Sequence, residues 1–196
     1  MPTEAHALIS PAVRRQTIAD ALRRTALRLP QKLGIVCGNT SWTYAEFDAI
    51  VSRLAAGLSG IGVKSGDRVA VLARNSHGFA ALRFALARMG AVMVPINFML
   101  KAEEVAYILR HAGAETLATD TGLADLAQQA SKLDTLVKQF VWLPSEDPTC
   151  TTKNEEKEKN GYPFSTHHWN HHLAWAPHAR DGQRLQKGQI LVRVEW

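Results

Sequence analysis

Between residues 17 and 143 the apolar positions switch repeatedly between a helical period and a strand-like one. "TIADALRRTALRL" places Ile18, Leu22, Ala26 and Leu29 at helical spacing, behind a Thr17–Asp20 pattern that resembles a capping box with the weaker acidic partner. "KLGIVCG" is a short apolar run and predicts a strand. "TYAEFDAIVSRLAAGL" opens on a Thr43–Glu46 capping box, and Phe47, Ile50, Val51, Leu54 and Leu58 form one continuous helical face. "RVAVLA" then predicts a buried strand, "GFAALRFALARMG" a helix ended by Gly90, and "AVMVPI" a strand stopped at Pro95. "AEEVAYILRHAG", "ETLATD", "LADLAQQASKL" and "LVKQFVWLP" continue as helix, strand, helix, strand.

Alternation of this kind with short connections predicts an α/β fold with a mostly parallel sheet and helices on its faces. Near-continuous apolar runs such as "AVMVPI" predict strands covered on both sides. The glycine-rich "GIGVKSGDR" precedes a strand and not a helix, which is the wrong setting for a dinucleotide fingerprint. Gly60, Gly62 and Gly66 therefore read as helix-end and turn residues, and Asp67 with Arg68 as a weak surface pair.

The pattern ends near Pro144. "SEDPTCTTKNEEKEKNGYP" is polar and charged without a period, and reads as linker. Alanine falls from 25 in residues 1–148 to 3 in residues 149–196, so the two stretches are not one continuous domain pattern. The expected organisation is an N-terminal extension at 1–16, a partial domain at 17–143 and an atypical tail at 144–196.

The formal net charge of +5 does not point to nucleic acid. The arginines, among them Arg23, Arg24, Arg53, Arg83 and Arg88, are scattered over helix-like stretches and not gathered on one face. Cys37 and Cys150 match no metal or redox spacing, and Cys37 in its apolar run reads as a small buried residue in a reducing compartment. "MPTEAHALISPAVRRQ" lacks a basic segment followed by a long apolar core, and "FALARMGAVMVPINFML" is interrupted by Arg88 and too short for a bilayer. The expectation is a cytoplasmic chain with no integral membrane segment.

Two stretches carry a specific resemblance. "SWTYAEFDAIVSRLAAGLSGIGVKSGDRVAVLARNS" and "GAVMVPINFMLKAEEVAYILRHAGAETLATD" resemble the opening of an acyl-CoA synthetase. More broadly they resemble the adenylate-forming (AMP-binding) superfamily of fatty-acid–CoA ligases, luciferases and nonribosomal peptide adenylation domains. The "WTYAEFD" helix start, the "GDRVAVLARNS" turn and strand, and the "GAVMVPIN" strand come in the family's order and spacing over roughly residues 15–143. Within the family, the likeness is to medium- or long-chain fatty-acyl ligases.

The resemblance implies the opening β-α units of a large N-terminal domain, left incomplete. It also implies a two-step reaction with fatty acid, ATP, Mg²⁺ and CoA. ATP and the acid give an acyl-adenylate, and the CoA thiol then forms the thioester. Joining the carboxylate to AMP supplies a good leaving group, and the triphosphate charge must be neutralised by Mg²⁺, Lys and backbone amides.

The family elements for that chemistry are not found in this sequence. Its phosphate loop is rich in Ser, Thr and Gly and ends in Pro-Lys-Gly. "GNTSWTY" lacks the Lys and reads as a turn at Gly38 and Asn39, and "GQRLQKGQ" holds Gly182 and Lys187-Gly188 in the wrong order. No Tyr-x-Thr-Gly-Asp segment and no glycine-rich motif with the catalytic Lys is present. Many relatives carry Arg two residues after the Asn of "PIN", where it assists CoA phosphate binding; here Met99 stands there, and Asn97 is expected to cap the turn before a helix at 102–111. The chain therefore predicts no catalytic, cofactor-binding or metal residue of its own.

The tail's "FSTHHWNHHLAWAPHARDG" gathers His167, His168, His171, His172 and His178. Helical HisxxxHis spacing can hold a transition metal, but no Cys or carboxylate ligand lies close by, so adventitious Ni²⁺ or Zn²⁺ binding is the expectation over a native site. A broken reading frame, a splice variant or a truncated product accounts best for such a tail. The sequence thus predicts a ligase fragment inactive alone, with open sheet edges that favour aggregation or a protein partner. The alternative is a non-enzymatic module that pairs with a full-length ligase or binds metal through its tail.

Overall fold

The computed structural model describes residues 17–144 and 190–193. Helix α1 runs Ile18–Arg28 and is followed by a hairpin of β1 (Leu33–Cys37) and β2 (Thr40–Thr43). Then come α2 (Tyr44–Gly60), β3 (Arg68–Leu72), α3 (His77–Met89), β4 (Val92–Pro95), α4 (Ala102–Ala112), β5 (Thr116–Asp120), α5 (Ala124–Ser131), β6 (Gln139–Leu143) and β7 (Ile190–Arg193). The main sheet is parallel throughout, in the order β4-β3-β5-β6-β7.

Local chemistry sets the helix ends. Thr17 Oγ1 accepts from the Asp20 amide at 3.2 Å while Asp20 Oδ2 accepts from the Thr17 amide at 3.0 Å. Thr43 and Glu46 do the same at 3.3 and 2.7 Å. These bonds to the ionised form hold both carboxyls below the usual carboxylate range. At the other end of α3, Gly90 takes the left-handed conformation (φ +74°) that stops a helix, with Ser65 Oγ only 2.7 Å from where a Cβ would stand.

The sheet is sandwiched, and the alternation of side chains shows it. Val69 and Val71 of β3 pack with Leu54, Leu58, Leu82 and Leu86 of α2 and α3 on one face. Ala70 and Leu72 face Val105 and Leu109 of α4 and the Ala124, Ala127 and Ala130 stripe of α5 on the other. Arg88 ties α3 to α2 through the Asp48 carboxylate at 2.5 Å and the Asp48 carbonyl at 3.2 Å, with Ser52 as a third partner.

"KLGIVCG" forms the expected strand, and it pairs antiparallel with β2 in a separate two-stranded sheet, because the two-residue turn at Gly38 and Asn39 folds the chain straight back. Three expectations need correction. "AVMVPI" is not covered on both sides: β4 is the sheet edge, and Val92 is exposed. Ile18 and Leu29 are exposed while Ala19, Leu22 and Ala26 carry the buried face of α1. Cys37 is only half-buried, since its hairpin lies outside the main sheet.

Of the tail at 144–196, Pro144 and Ile190–Arg193 are described, and β7 joins the main sheet beside β6. Ile190, Leu191 and Val192 are strand-forming residues, and β6 offers them a row of unpaired backbone groups. The histidine cluster, the "GQRLQKGQ" glycines, Cys150 and the extension at 1–16 lie outside the described residues.

Candidate functional site

In open parallel sheets, ligands bind beyond the carboxyl ends of the strands where the winding direction reverses. Here β3 has β4 on one side and β5 on the other; α3, which follows β3, lies on one face of the sheet, and α5, which follows β5, lies on the other. The reversal point is therefore between the ends of β3 and β5. The segments that meet there are Ala73–Ser76 after β3, Asn97–Lys101 after β4 and Thr121–Leu123 after β5.

Asp120, the last residue of β5, is 2 % exposed. Its Oδ2 accepts from the backbone N–H of Arg74 at 2.8 Å, which ties the two strand ends together. Its Oδ1 faces Arg74 Nη1 at 3.5 Å, an ion pair without a hydrogen bond. The guanidinium lies over the Phe98 ring, with its carbon 5.6 Å from the centroid. On its far side is Gly122, where a Cβ would stand 2.7 Å from Nη1 and 3.1 Å from Asp120 Oδ1. Only a residue without a side chain lets the arginine settle against the Thr121–Leu123 turn.

The α3 N-terminus, the natural phosphate end of a strand-to-helix unit, is closed. Ser76 spends its hydroxyl on the Phe79 amide at 3.1 Å. Pro144 sits against Gly78, its Cδ 2.6 Å from a Cβ position there, and His77 is buried with its ring edge-on to Trp42 at 5.0 Å. Among the described residues no group of three His, Cys, Asp or Glu side chains is placed to hold a metal ion.

Asn97 does what its sequence position suggests: its Oδ1 accepts from the Met99 amide at 3.0 Å and shapes the turn into α4. Met99 is exposed beside Phe98. The glycines of "GIGVKSGDR" form the turn before β3, where Asp67 Oδ2 accepts from the Lys64 amide at 2.8 Å, so Asp67 is a turn residue and not simply a partner for Arg68. Sequence reasoning did not single out Arg74 or Asp120. The signal was a charge at the carboxyl end of each of two strand-like runs, in "VLAR" and "LATD".

The family model for "AMP-binding enzyme" matches residues 22–184, and so extends through the end of β6 into the following segment. The chain is 35 % identical over 144 residues to 2,3-dihydroxybenzoate-AMP ligase of Bacillus subtilis, a match covering 67 % of this chain and 27 % of that protein. It is 44 % identical over 104 residues to long-chain-fatty-acid–CoA ligase FadD13 of Mycobacterium tuberculosis, covering 52 % of this chain and 21 % of that protein. The crystallised N-terminal domain of FACL13 from Mycobacterium tuberculosis superposes with a TM-score of 0.61 at 29 % identity, over 72 % of this chain and 36 % of that one. The chain thus spans about a fifth to a quarter of the curated relatives' length, and its α/β sheet is the one these ligase domains share. On the reach of the family match across more than half its residues, this chain belongs to the AMP-binding enzyme family.

Proposed function

We propose that this chain is the opening part of a carboxylic acid–CoA ligase and supplies scaffold, not the ATP chemistry. The observation that carries the reading is the family match over residues 22–184, joined to the parallel α/β sheet of the described residues. The absence of the Pro-Lys-Gly loop, the ribose-binding segment and the catalytic lysine from this sequence supports it. The relatives' names differ in the acid, a dihydroxybenzoate in one and a long-chain fatty acid in another, so the shared substrate chemistry is a carboxylate that is activated by ATP. Long-chain fatty acids are the first to test, on the 44 % identity to a ligase of that name. Among the described residues no helix is long and apolar enough to cross a membrane.

ATP–pyrophosphate exchange with a panel of fatty and aromatic acids tests this. No exchange above a blank is expected, and acid-dependent exchange would overturn the scaffold reading.

A second reading is an interaction module that pairs with a full-length ligase. The open β4 edge, with Val92 exposed, favours it. Co-purification with a full-length relative that is abolished by Met93→Pro, which removes an edge-facing N–H because Val92 and Ile96 on either side donate inward to β3, would support the module; free passage through the column would favour the scaffold.

A further inference from the structure

We propose that Arg74 anchors an oxyanion subsite at the reversal point of the sheet, taking a carboxylate or a phosphate group. The inference stands apart from the ligase reading, because it rests on the crevice geometry alone.

A free arginine on a surface is a poor anion site, since binding must first immobilise a long side chain. Arg74 is already held. Its backbone is fixed by the buried Asp120 carboxylate, its Nη1 is buried between Asp120 Oδ1 and Gly122, and its guanidinium is seated on Phe98. The side chain is nonetheless 40 % exposed, and that exposure belongs to atoms other than Nη1. Among the described residues neither Nε nor Nη2 makes a hydrogen bond, so this edge is available to donate to a ligand. Two parallel N–H groups match the two oxygens of a carboxylate or phosphate.

The neighbouring carboxylate limits the strength. Asp120 offsets much of the arginine's charge and both of its oxygens face Arg74, one accepting from the backbone and the other 3.5 Å from Nη1. An incoming anion meets a geometric fork with little net field, so affinity for a small oxyanion should be weak, about 10 mM. Phe98 and the exposed Met99 beside it add an apolar surface for whatever carries the anion.

The test is a titration of the full chain, isotopically labelled on nitrogen, with sodium phosphate and separately with sodium acetate at constant ionic strength. The Arg74 Nε–H resonance should shift saturably with at least one of the two salts, while those of Arg23 and Arg53 shift little and linearly. Saturation by phosphate alone would assign a phosphate-bearing ligand, and by acetate alone a carboxylic acid. Arg74→Lys keeps the charge and loses the fork, and should weaken binding about tenfold with the amide spectrum otherwise preserved. Phe98→Leu, a milder change on an exposed loop, should weaken it about threefold. Equal, unsaturating shifts at all arginines would overturn the proposal, as would an Arg74→Lys chain that titrates like its parent.

Discussion

Strands β4 and β5 both pair in parallel with β3, yet the more apolar of the two is the exposed one. β4 is Val-Met-Val-Pro and lies at the edge, with both ends open to solvent. β5 is Thr-Leu-Ala-Thr-Asp and is buried at every position. The difference shows that burial follows a strand's place in the sheet order more than its own hydrophobicity. It also shows what a polar strand needs in the centre. Gln139 Nε2 donates to Thr116 Oγ1 at 2.7 Å, Thr119 Oγ1 bonds the Asp120 carbonyl, and Asp120 receives the Arg74 amide. The edge strand needs no such partners, but among the described residues its outer backbone groups pair with no other strand.

If that contrast is right, the same kind of truncation should have unequal costs in the two strands. Leu117→Ala removes a fully buried side chain between α4 and the sheet and should cost about 3 kcal/mol in denaturant unfolding. A cost under about 1 kcal/mol would mean that β5 is not the centre of the sheet. Asp120→Ala breaks the tie between the two strand ends and leaves Arg74 without its partner, with an expected loss of about 2 kcal/mol by the same measurement.

The caps sharpen the contrast further, because they act locally and outside the sheet. Thr43→Ala should cost about 1 kcal/mol. Its partner adds a pH signature. The Glu46 carboxyl, like that of Asp20, is held below the ordinary range by bonds to its ionised form. A depressed folded value means the contribution is present above the unfolded-state value, about 4.3 for Glu, and is lost as pH falls through the folded one. The stability gap between the parent and Glu46→Gln should therefore be open at pH 7 and close on acidification. A gap that widens in acid would contradict the capping geometry. Val92→Thr at the edge is the smallest change, within about 0.5 kcal/mol.

Much of the fold was legible along the chain because two signals agreed. The capping boxes at Thr17 and Thr43 and the stop at Gly90 bracket helices whose faces repeat at the helical period. Sheet order was not legible. Nothing in "AVMVPI" says that β3 has β5 as its other neighbour, and nothing in "KLGIVCG" separates a hairpin from a parallel strand except the short turn after it. The crevice was hidden for the same reason. Arg74 and Asp120 are 46 residues apart, and only the adjacency of β3 and β5 brings them together.

Native-state amide hydrogen exchange tests the central claim most directly, since it reads each strand separately. The account predicts that the slowest amides lie in β3 and β5, such as Ala70, Val71 and Ala118, with exchange approaching the global unfolding free energy. Those of β4 and of the β1–β2 hairpin should exchange through much cheaper local openings. Equal protection in β4 and β5, or a hairpin as slow as β3, would contradict it.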